Sequence, residues 1–256
     1  MTGRFLIATV ALGALLSACA SPQQQQRARQ ANMAERVLER AGSIGDPGKV
    51  AAADFAFARA AQEDGQWTAF RRYAAPGAVL HGRNGPVPVT SFLSGMDDPS
   101  EAVEWAPNTV WSSCDGTLAI SFGRFEDTEG LVGSYVSAWA LQRDGSYKYT
   151  YDLGAPDNPQ PVRDPEGEAP DDAIVVEGLR SVQGRIADCP RRGEIIPLPP
   201  LRIVDGARQE TAMSDDKTLA WTWYHTDQGV RSVNVQWYRG GEWQDAVNFA
   251  APPLAG

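Results

Sequence analysis

His81 and Tyr135 offer the simplest acid-base pair in the chain, with Asp152 as a third candidate. An imidazole takes a proton near neutral pH and a tyrosine hydroxyl can face a developing oxyanion, so His81 as base with Tyr135 as donor is a minimal constellation. Trp105, Tyr135 and Trp139 are the aromatics that could wall a pocket beside them. The same residues also read as structure alone. His81-Gly82-Arg83-Asn84-Gly85 has the composition of a loop, and Asp152 before Leu153-Gly154 that of a turn. Other chemistries find less support. No Ser stands in a nucleophile-elbow motif, no phosphate loop is present, and His225 has no second His near it in the sequence. Three Cys and two His are few for a metal centre, so neither metal nor cofactor is expected. A net charge of -9 argues against a nucleic-acid partner.

The elements that must position these side chains follow from periodicity. Gly45-Asp46-Pro47 is a helix-start signal, and Val50, Ala53, Phe57, Ala60 and Ala61 recur at helical spacing until Asp64-Gly65 stops them. A short helix over Trp67 to Tyr73 follows, then a strand at Val79-Leu80 and a brief helix over Val89 to Met96. From Trp105 the period changes to two. Leu118, Ile120 and Phe122 share a strand face, as do Tyr135, Ser137, Trp139 and Leu141, and then Tyr147, Tyr149 and Tyr151. Asp144-Gly145 between the last two is a hairpin signal. Val136, Ala138 and Ala140 make the middle strand apolar on both faces, as if a helix covered one side. Helices followed by an antiparallel meander predict an α+β fold with helices on one face of a curved sheet.

The N-terminus has its own pattern. Phe5 to Ala18 is apolar and too short to span about 30 Å of hydrocarbon, which fits a signal peptide. It ends in Leu16-Ser17-Ala18-Cys19, which resembles the lipobox of bacterial lipoproteins. That resemblance implies cleavage before Cys19, acylation of its thiol, and attachment to the membrane through lipid. Ala20, standing where an Asp would retain a lipoprotein in the inner membrane, implies the periplasmic face of a Gram-negative outer membrane. Residues 1-18 are then signal, and 19-45, rich in Gln and Arg, a polar tether. With Cys19 lipidated, Cys114 and Cys189 are left for a disulfide, or stand apart as two thiols.

Two further patterns organise the body of the chain. The stretch from Asp54-Phe55 to Gly65, then Trp67-Thr68-Ala69-Phe70-Arg71-Arg72-Tyr73-Ala74-Ala75-Pro76-Gly77-Ala78-Val79-Leu80, resembles the opening of the nuclear-transport-factor-2-like superfamily, with its SnoaL-like cyclases and ketosteroid isomerases. Ser113 to Phe122, Gly133 to Trp139 and Asp144 to Pro156 resemble its closing sheet. The resemblance implies a cone-shaped domain over 46-156 with a cavity between helices and sheet. After a Pro-rich acidic linker at 157-173, strands are expected at Ile174-Val175-Val176 and over Val182 to Ile186. Ser214 to Trp223 then aligns with Ser113 to Phe122 at an offset of 101, so the β-rich unit 174-256 partly repeats the sheet. A lone sheet carrying Trp221, Trp223 and Trp237 on its faces must pack on the first unit or on a partner.

The expected function is therefore that of an envelope lipoprotein binding a small apolar ligand or a protein partner without chemistry. One alternative is a cyclase or isomerase acting in the same cavity. Another is an envelope assembly accessory that docks through the C-terminal sheet.

Overall fold

Helix α1 (Pro47–Asp64) begins where Asp46 caps it: its Oδ1 accepts from the backbone N–H of Gly48 at 3.0 Å and of Lys49 at 3.2 Å. Pro47 fills the first turn, where its missing N–H costs nothing. The helix stops at Gly65, whose φ of +103° suits glycine and whose Cβ, if present, would collide with the Asp98 carboxyl. That carboxyl accepts from the Thr68 N–H and hydroxyl and so caps α2 (Gln66–Tyr73) from outside. A single turn, α3 (Val89–Phe92), completes the helices among the described residues. The computed structural model describes residues 44–161, 181–191, 193–200, 202 and 204–253. The lipobox, the tether up to residue 43, most of the acidic linker and the Ile174-Val175-Val176 strand lie outside the described residues.

The strands are β1 (Ala74–Gly82), β2 (Gly85–Pro88), β3 (Glu104–Ser112), β4 (Leu118–Glu126), β5 (Val132–Leu141), β6 (Tyr147–Pro156) and β7 (Gln183–Ile186), then β8 (Ala207–Met213), β9 (Leu219–Thr226), β10 (Arg231–Arg239) and β11 (Glu242–Ala251). The first seven form a mixed sheet in the order β2-β1-β6-β5-β4-β3-β7, with β1 parallel to β6 and β7 parallel to β3. The last four form an antiparallel sheet, β11-β10-β9-β8. No helix among the described residues is long and apolar enough to cross a membrane.

This corrects the α+β expectation of a helices-on-sheet cone. Strands hold 47% of the described residues and helices only 16%, so the protein is mostly β. The reason lies in β5. Trp139 on one face packs with Val50, Phe57, Ala61 and Tyr149 in a core under the helices. Val136 and Ala138 on the other pack with Ile120, Tyr151, Leu219, Trp221, Val235 and Trp237 in a second core between the two sheets. The second apolar face of β5, which suggested a helix, is covered by a sheet. The inner face of that small sheet, with Trp221 and Trp237, is thereby buried against the large sheet.

The internal repeat is visible in the geometry. Strands β8 to β11 retrace the meander β3 to β6, and the two aligned turns have the same wiring. Ser113 N–H donates to the Leu118 carbonyl and Ser214 N–H to the Leu219 carbonyl, each at 2.9 Å. Gly116 and Lys217 occupy matching left-handed positions at φ +72° and +60°. The turns also bind each other: Cys114 N–H donates to Thr218 Oγ1 at 2.9 Å and Asp215 N–H to Thr117 Oγ1 at 3.1 Å. Cys114 is disulfide-bonded to Cys189, with Cα atoms 5.0 Å apart, which ties this turn to the chain after β7. From there a strap crosses the outer face of the small sheet, where Ile196 is buried and the Pro197 carbonyl accepts from Trp243 Nε1 at 2.8 Å.

Candidate functional site

Between the helices and the large sheet lies a cavity of about 340 Å³. Phe57 of α1, Trp67 and Phe70 of α2, Phe92 of α3, Trp105 of β3, Phe125 of β4 and Tyr135 of β5 supply aromatic walls. The aromatics brace one another: Phe57 stacks on Tyr149 at 5.4 Å between centroids and meets Trp105 edge-on at 4.8 Å. Asp152 of β6 brings a carboxyl to this wall.

Asp152 lies opposite Ser137 in the β5–β6 ladder, and its Oδ2 accepts from Ser137 Oγ at 2.5 Å. Burial pushes its pKa from the usual 3.8 to about 7; the Ser137 bond opposes this, and the charge of Asp54 adds to it. A carboxyl so placed exchanges its proton near neutral pH.

Asp54 is the residue that sequence reasoning missed. It is fully buried on α1, where Oδ1 accepts from Trp105 Nε1 at 3.0 Å and Oδ2 from the Tyr135 hydroxyl at 2.9 Å. Ser121 also hydrogen-bonds it, and Ser121 Oγ in turn accepts from Trp139 Nε1 at 2.9 Å. Burial lifts Asp54 to about 6, while these donors hold it down. A charge on the Val50, Phe57, Ala61 stripe was the available signal, because a carboxylate stays on a buried helix face only where donors meet it. Asp54 fixes two cavity walls, Trp105 and Tyr135, with one side chain. Burial and the Asp54 carboxylate raise the Tyr135 pKa well above its ordinary value, so the hydroxyl keeps its proton and donates it to Asp54. Its oxygen lone pairs remain free to accept from a ligand.

The structure brings Tyr135, Asp152 and Trp105 to this cavity and sends the other candidates elsewhere. Trp139 lies in the core beneath it, with no exposed surface. His81 borders the cavity, but its imidazole is engaged between the sheets: Nδ1 bonds the Tyr151 hydroxyl at 2.6 Å and Nε2 bonds His225 Nδ1 at 3.0 Å. The expected His81–Tyr135 pair is not formed. Burial, then the neighbouring His225, Arg231 and Arg208, lower the His81 pKa to about 3, so at neutral pH it is an uncharged, fully occupied ring. His225, which stands alone in the sequence, is the partner of the only other histidine in the chain. Among the described residues no group of three or more His, Cys, Asp or Glu side chains could hold a metal ion.

The arrangement can bind an apolar molecule and exchange one proton or hydrogen bond with its polar end. No protein-family model matches the chain. No curated protein matches it either.

Proposed function

We propose that the protein is a lipid-anchored envelope protein whose aromatic cavity binds a small, mostly apolar ligand with one polar end. The observation that carries this reading is the cavity itself: about 340 Å³ walled by aromatic rings, with Asp152 as its carboxyl. Such a wall favours apolar and planar groups through area burial and ring contacts, and a few polar atoms orient them. The Leu16-Ser17-Ala18-Cys19 pattern supports attachment to the outer membrane on its periplasmic side. Native protein extracted from membranes and analysed by mass spectrometry tests both parts. A diacylated Cys19 start and a copurifying apolar compound are expected; an unmodified N-terminus ends the anchor reading, and loss of the compound from a cavity-filled variant is required for the binding reading.

A second reading, proton-transfer catalysis of the isomerase or cyclase type, is favoured by the raised pKa of Asp152 beside Tyr135. Asp152→Asn separates the two. It abolishes turnover of the copurified compound if Asp152 is a base and leaves retention of the compound largely intact if the cavity only binds.

A further inference from the structure

Across three adjacent strands of the small sheet, Arg208 of β8 lies opposite His225 of β9, and His225 lies opposite Arg231 of β10. Residues directly opposite share a face, and like charges so placed repel. This face looks toward the large sheet, where His81 meets His225. A protein of net charge -9 thus gathers two arginines and both of its histidines in one place. Among the described residues no carboxylate bonds the buried member of the row. Arg231 is 3% exposed and donates through Nη1 to the His81 carbonyl at 3.2 Å, while its Nε and Nη2 have no hydrogen-bond partner among the described residues. Asp227 is the carboxylate acting on His225, and its influence is smaller than that of either arginine.

We propose that this row is a binding site for an oxyanion, a carboxylate or a phosphate group. The two unpartnered nitrogens of Arg231 form one edge of the guanidinium fork, which is the geometry that takes two oxygens of such a group side by side. Its third nitrogen is tied to the His81 backbone, so the fork is already oriented. A buried guanidinium without a counter-charge is costly, and an anion removes that cost. The fork has no exposed surface, whereas Arg208 at the end of the row is exposed and reaches the Asn84 carbonyl at 2.7 Å. Arg208 is the side chain that moves to admit the ion. This site is on the opposite face of the large sheet from the aromatic cavity and does not depend on what that cavity holds.

The test titrates the full mature protein with inorganic phosphate, acetate and succinate, each against sodium chloride of equal ionic strength. The readouts are melting temperature and the arginine Nε–H resonances. A saturable rise in melting temperature and a shifted Arg231 Nε–H are expected, with phosphate and the carboxylates ranked by half-saturation. Arg231→Lys keeps the charge but not the fork and loses the saturable rise; Arg208→Gln, at an exposed position, raises the half-saturating concentration several-fold. The proposal is overturned if no oxyanion gives a saturable rise, or if the rise survives in Arg231→Lys. Should that variant not fold, an Arg231 Nε–H unmoved by every ion in the unaltered protein overturns it.

Discussion

Asp115 and Asp216, 101 residues apart, exchange the same bond in both directions: the Asp115 N–H donates to Asp216 Oδ2 at 2.8 Å and the Asp216 N–H to Asp115 Oδ2 at 3.0 Å. The remaining oxygen of each carboxylate closes its own turn, Asp115 Oδ1 on Ser113 and Thr117 and Asp216 Oδ1 on Ser214 and Thr218. The two halves of the repeat therefore hold each other through the residues that make them alike. Asp216→Ala strips acceptors from several partly buried N–H and O–H groups at about 1 kcal/mol each, so it should cost about 2–4 kcal/mol in urea unfolding. A loss below 0.5 kcal/mol, estimated on the ordinary spread of surface substitutions at about that size, would show that the clasp is incidental.

The Cys114–Cys189 bond closes a loop between positions 75 residues apart. In the chain-entropy account such a loop is worth about 4 kcal/mol, less any strain. Cys189→Ser should lower stability by an amount of that order. Thiol titration of the unfolded, unreduced mature protein should find neither Cys114 nor Cys189 free.

Asp54 acts on the cavity through Trp105 and Tyr135. Asp54→Ala removes the acceptor shared by the Trp105 N–H, the Tyr135 hydroxyl and Ser121, at roughly 1–3 kcal/mol for each buried donor left unpaired. It should weaken retention of the copurifying compound and unlock Trp105, seen as a red-shifted, more quenchable tryptophan emission. Asp54→Asn, which keeps one acceptor, should fall between the two.

Acid and base limits of stability have separate origins here. The folded pKa of Asp152 lies above its ordinary 3.8, at about 7. Its contribution is therefore complete below pH 4 and lost as pH rises through 7. His81 is shifted the other way, from 6.5 to about 3, so its contribution is complete above its ordinary value and lost as pH falls toward 3. Unfolding free energies measured from pH 4 to 8 should show Asp152→Asn gaining on the unaltered protein as pH rises, by on the order of 2 kcal/mol after allowance for partial exposure. His81→Gln should gain on it as pH falls. Parallel curves for either variant would mean that the group does not titrate as its surroundings require.

Gly154 lines the cavity, and a Cβ there would meet nothing nearer than Phe125 at 3.6 Å. Gly154→Leu should fill part of the space without disturbing β6. The expected result is a melting temperature within a few degrees of the unaltered protein and loss of the copurifying compound. Retention of the compound in a folded Gly154→Leu protein would place its site elsewhere.

What could be read from the residues was local. The Asp46-Pro47 cap, the 3.6-residue stripe of α1, the period-two faces of β4 and β5 and the Asp144-Gly145 turn are interactions between neighbours in the chain, and each is found where its pattern lies. The single face expected for Tyr147, Tyr149 and Tyr151 is not formed: an extra residue at Thr150 shifts the β5–β6 register, so Tyr147 and Tyr149 join the core under the helices and Tyr151 the core between the sheets. The repeat could be seen too, because Ser113 to Phe122 and Ser214 to Trp223 keep the same turn chemistry. Trp105 and Tyr135 were expected as pocket aromatics and both line the cavity, but Asp152 reaches it only because the register shift in the β5–β6 ladder reverses the alternation of β6 after Tyr149. The cover of the second face of β5 could not be read in this way: an apolar face asks for burial without specifying whether a helix or a sheet supplies it. Nor could the roles of His81 and His225, which are 144 residues apart and meet only because the small sheet folds onto the large one. Sequence by itself determined the elements and the polarity of their faces, since propensity, capping and periodicity act over a few residues. Tertiary structure alone decided which faces meet, turning Asp54 from a helix charge into the anchor of a cavity and His81 from a candidate base into a buried cross-sheet link. Those roles depend on desolvation and hydrogen-bond partners brought from distant parts of the chain.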